Sequence, residues 1–97
     1  MNINQLMQQA QKMQKDIMKK KDEVNKKEFT GSSELVDVVF TGDKRMVSAK
    51  IKQDIDNEDK EIIEDMIVIA VNDAMEKIDK ETENALGSYG NQLGGLF

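Results

Sequence analysis

Apolar residues recur at helical spacing from the start of the chain: Ile3, Leu6, Met7, Ala10, Met13, Ile17 and Val24 fall on one side of a wheel drawn at roughly 100° per residue. The spacing predicts a helix from about Ile3 to Lys27 with one stripe to bury. The period fails near Glu28, and Thr30, Gly31, Ser32 and Ser33 form a polar cluster that reads as a turn, with Phe29 opening a short strand before it. Glu34 to Thr41 is β-branched and apolar, with Val36, Val38 and Phe40 on one face and Leu35, Asp37, Val39 and Thr41 on the other. Gly42 and Asp43 supply turn chemistry. Met46 to Lys52 then alternates, Val47, Ala49 and Ile51 inward and Ser48, Lys50 and Lys52 outward. A second helix is expected from about Glu58 to Ala85. It contains the run Met66 to Val71, which is apolar all round and must be covered all round. The strand face of Val47, Ala49 and Ile51 can cover one side, and a second copy of the chain is the economical cover for the other.

These elements describe an α+β fold: a long N-terminal helix, a three-stranded antiparallel sheet over residues 28–53 and a long C-terminal helix. Residues 1–86 form a single domain in this reading. Residues 87–97, with four of the six glycines, read as a flexible tail. At 97 residues and 4% aromatics the chain buries a thin core, and association is the expected remedy. Asn72 and Asp73 break the apolar run and need hydrogen-bond partners if buried.

Charge is divided unevenly. The first 27 residues carry seven lysines against three acids, whereas the other 70 carry seven basic and sixteen acidic residues, so local charges of +4 and −9 underlie the overall −5. Lys12, Lys15, Lys19 and Lys26 lie opposite the apolar stripe, spread over about 20 Å at 1.5 Å per residue. Rows of phosphates have that scale. With neither cysteine nor histidine, the chain lacks thiolate chemistry, the usual zinc ligands and the usual general base, and nothing pairs a nucleophile with a base. No enzyme activity, cofactor, metal or small-molecule substrate is expected. The acidic run Asp54 to Asp59 only loosely imitates a calcium loop: Asp59 stands where glycine is needed and Asp65 where glutamate is needed. Helix capping by Asp56 or Asn57 accounts for it better. No apolar run approaches the length of a membrane span, and the N-terminus does not read as a signal peptide.

The order of LMQQAQKMQ (Leu6 to Gln14), ELVDVVFTGDKRMVSAKI (Glu34 to Ile51) and EIIEDMIVIAVNDAMEKI (Glu61 to Ile78), closed by Gly94 to Phe97, resembles the YbaB/EbfC family of nucleoid-associated proteins. The resemblance implies a bacterial, cytoplasmic, nucleoid-bound homodimer shaped like tweezers, whose helical arms grip double-stranded DNA. It places Lys12, Lys15, Lys19, Lys20 and Lys26, together with Lys77 and Lys80, against phosphate. The interface between copies is expected to take Val36, Val38 and Phe40 from the sheet and Met66, Ile69 and Ala70 from the second helix. Lysine lacks the bidentate fork that reads guanine, and Arg45 is the single arginine, so little sequence specificity is expected. The alternative is a dimeric adaptor whose Met-rich helix (Met7, Met13 and Met18) docks a partner protein, DNA binding being incidental.

Overall fold

A computed structural model describes residues 2–52 and 59–93. The chain runs α1 (Ile3–Lys26), β1 (Glu28–Ser32), β2 (Val36–Thr41), β3 (Met46–Ile51) and α2 (Lys60–Leu93). Asn2 caps α1 by accepting a hydrogen bond from the Gln5 amide at 2.8 Å. The helix ends where Lys27 turns extended and the chain enters the sheet. Asp59 caps α2 by accepting from the Glu61 amide at 3.0 Å. The expected caps, Asp56 and Asn57, lie outside the described residues, as does most of the acidic run.

The sheet is antiparallel in the order β1-β2-β3. Thr30, Gly31 and Ser32 belong to β1 rather than to a turn, because pairing with Val39, Val38 and Asp37 satisfies their backbones. The reversal falls instead at Ser33, whose hydroxyl accepts from the Val36 amide at 3.1 Å. Leu35, expected opposite Val36, precedes β2 and is buried in the core. Freed from strand alternation, it turns inward.

Pairing places Phe29, Gly31, Val36, Val38 and Phe40 on one face, and α2 lies across that face over β1 and β2. Ala70 and Ala74 of α2 are fully buried there, with Ile78 beside them. The helix comes so close that a Cβ on Gly31 would overlap the Ala70 carbonyl oxygen and the Ala74 side chain. Small residues on both elements make that crossing possible.

Two expectations about cover are corrected here. Ala49 and Ile51 do share the face of Val38 and Val36, while a bulge leaves Val47 unpaired and sets Met46 opposite Phe40; α2 crosses at β1 and β2 and leaves every residue of β3 exposed. Conversely Val36, Val38, Phe40 and Ala70, expected between copies, are already covered within the chain. Of the expected interface residues Met66 is half-buried and Ile69 is exposed. Beyond α1, the exposed large apolar residues are instead Met46, Val47 and Ile51 of β3 and Ile62, Ile67, Val68 and Ile69 of α2.

The second helix also continues to Leu93, through residues expected to form a tail. Gly87 and Gly90 are isolated among helix-tolerant neighbours, and a single helical glycine costs only about 1 kcal/mol. α1 packs along α2, with Val24 buried. Helices outlasting a small sheet make the molecule 70 × 21 × 14 Å, with a radius of gyration of 19.0 Å. A compact domain of this length has about 13 Å.

Candidate nucleic-acid interface

The lysine face is built by α1 alone. Lys12, Lys15, Lys19 and Lys26 fall within an arc of about 60° at 100° per residue, all exposed and none in an ion pair among the described residues. Unpaired ammonium groups on a solvated helix carry their full charge outward. Lys15, Lys19 and Lys26 line a shallow groove of about 490 Å³ together with Met18, Asp22 and Glu23. The two carboxylates were visible in the sequence: Asp22 follows Lys15 by seven residues and precedes Lys26 by four.

Lys20 stands apart, half-buried and engaged in an interaction of its own. Lys77 is engaged within the fold. Its ammonium donates to the Thr30 carbonyl at 2.7 Å and lies 3.2 Å from the Asp73 carboxylate, while Asp73 accepts from the Ser32 amide at 2.9 Å. Thr30 and Ser32 belong to β1, a sheet edge, so the pair one helical turn apart on α2 ties that edge down. The Ser32 amide first, and Lys77 next, hold the Asp73 carboxyl below its ordinary 3.8. Asp73 thereby has the partner its mid-helix position requires. Lys80 pairs with Glu76 at 3.6 Å, both well exposed. Lys27 is held by Glu81 at 2.7 Å and Lys44 by Asp79 at 3.4 Å.

Among the described residues, unpaired lysines are therefore concentrated on α1, whereas Lys77 and Lys80 of α2 are answered by nearby acids. The sequence pattern of the YbaB/EbfC DNA-binding family matches residues 1–93. The chain belongs to this family. A nucleoid-associated protein of Enterococcus faecalis is 44% identical over 98% of this chain and 94% of its own length. Nucleoid-associated proteins of Ligilactobacillus salivarius and Streptococcus suis are 42% and 43% identical over 99% and 96% of this chain, and over 95% and 97% of their own lengths. The crystal structure of an uncharacterized protein from Helicobacter pylori shares the fold of this YbaB/EbfC chain with a TM-score of 0.73 at 26% identity, covering 97% of this chain and 99% of that one. No helix among the described residues is long and apolar enough to cross a membrane.

Proposed function

We propose that this YbaB/EbfC protein binds double-stranded DNA in the nucleoid with little sequence specificity, as a homodimer, through the lysine face of α1. The observation that carries the reading is the line of Lys12, Lys15, Lys19 and Lys26, exposed and without an ion pair among the described residues, on a chain of net charge −5. Phosphate attracts each ammonium, and release of the counterions condensed on DNA supplies the affinity. Lys77, held by Thr30 and Asp73, is left out of the proposed surface.

Dimerisation is supported by the open apolar residues of β3 and α2, which water would otherwise cover. The second copy is expected on Met46, Val47, Ile51, Ile67, Val68 and Ile69. Two arms then address one duplex.

Fluorescence anisotropy on a random-sequence duplex across a salt series tests the reading, alongside the mass in solution. About four neutralised phosphates predict a slope of log affinity on log salt near −3.6. Replacing Lys12, Lys15 and Lys19 together by Glu abolishes binding; retention of binding, or a salt-independent constant, refutes the mechanism. The adaptor reading draws on a separate observation: Ile3, Leu6, Met7 and Met18 are exposed apolar residues along α1. Under it, the same triple variant leaves partner capture intact and DNA affinity is absent from the start.

A further inference from the structure

The lysine face continues past its last lysine. At roughly 100° per residue, Gln8 stands on the same line as Lys12, Lys15 and Lys19, four, seven and eleven residues before them. The two ends of this line differ sterically. From Met13 onward α1 is partly covered, with Met13, Asp16, Ile17 and Lys20 half-buried and Val24 buried, whereas every residue from Asn2 to Lys12 is exposed. A bare helix is about 10–12 Å across, and the major groove is about 12 Å wide. Only the bare end fits.

The ends also differ in charge. No acidic residue precedes Asp16, and the first turn of α1 contains none, whereas Asp22 and Glu23 share the groove of Lys15, Lys19 and Lys26. A phosphate backbone therefore meets least opposition toward the tip. A glutamine amide there has what lysine lacks: a carbonyl oxygen that accepts from adenine N6 and an N–H that donates to adenine N7, side by side.

We propose that Gln8 is a base-reading residue, inserted in the major groove by the bare tip of α1 and favouring adenine at one position per arm, while the lysines behind it hold phosphate. The inference rests on the DNA-binding reading and refines it. One contact per arm adds a modest A·T preference to otherwise sequence-tolerant binding.

The test compares affinities of the full-length protein for two labelled duplexes of equal length, one of alternating A·T and one of G·C pairs, with a third in which 7-deazaadenine removes the N7 acceptor. The wild-type protein favours the A·T duplex by about fivefold or more, and loses most of that advantage on the 7-deaza duplex. Gln8→Ala, at an exposed helical position where alanine preserves the helix, brings the three affinities together without changing the salt slope. Gln14→Ala, exposed but off the line, behaves as wild type. Lys12→Ala weakens all three alike and lowers the slope by about 0.9. Equal wild-type affinity for the A·T and 7-deaza duplexes, or an A·T preference that survives in Gln8→Ala, overturns the assignment and leaves DNA binding standing. No binding to any duplex at low salt overturns both.

Discussion

Gly31 sets how near α2 comes to the sheet, and the requirement is steric rather than conformational: a methyl group there meets the backbone oxygen of Ala70, which no side-chain rotation can move. Gly31→Ala is expected to destabilise the fold by about 2–3 kcal/mol, the range for overpacking against a rigid neighbour, read as a lower urea midpoint at unchanged slope. Asp73 acts beside it through charge. Its folded pKa is depressed, so its contribution is fully present above the ordinary 3.8 and disappears as pH falls through the lower folded value. Asp73→Asn keeps an acceptor for the Ser32 amide but loses the attraction to Lys77. Its melting temperature should lie below wild type at pH 6 and converge with it toward pH 2; equal melting temperatures at pH 6 would show that the amide bond alone matters. Lys44 is a third special position. It adopts φ 67° in the β2–β3 turn, where glycine is unstrained. Lys44→Gly should stabilise the protein by about 0.5–1 kcal/mol, since the Asp79 ion pair it gives up is exposed and of little value.

At the level of elements, both helices, the β2–β3 hairpin and the facing of Ala49 and Ile51 in β3 were legible in the sequence, whereas the bulge at Val47 was not. Local periodicity determines these. Which strands α2 would cover was not legible, because the choice depends on a contact between Gly31 and Ala70/Ala74, about 40 residues apart, and alternation within β3 is the same whether or not a helix lies on it. The lysine line could be read from spacing; the diversion of Lys77 to β1 could not, since its carbonyl partner is backbone. The proposed DNA face of α1 also carries acids. Asp22 and Glu23 sit among Lys15, Lys19 and Lys26 and would repel the phosphates that the proposed interface attracts. Converting both to their amides should tighten DNA binding by about two- to fivefold per charge at low salt, with the gain fading as the Debye length shortens. An unchanged affinity would place the phosphate track wholly on the tip-ward lysines.

Across the whole molecule, the elongated shape leaves much of the apolar surface without an internal partner. A single sheet layer takes α2 on one face over two strands; β3 is left bare, and Ile67, Val68 and Ile69 of α2 are exposed as well. The Asp73 and Lys77 bonds restrain the β1 edge, so the β3 edge is the one open to another copy. Val47, the extra residue of the bulge between β2 and β3, and Val68 lie on this surface at about half exposure. Since neither belongs to the monomer core, Val47→Glu with Val68→Glu should separate the copies while each chain keeps its secondary structure by circular dichroism. Sedimentation should then show a monomer, and the melting temperature should no longer rise with protein concentration. DNA affinity should fall by about a hundredfold, because two linked arms bind with an effective concentration that a single arm lacks. A double variant that remains dimeric would locate the contact elsewhere. A monomer that binds DNA as tightly as the wild type would show instead that one lysine face suffices and that dimerisation serves the thin core.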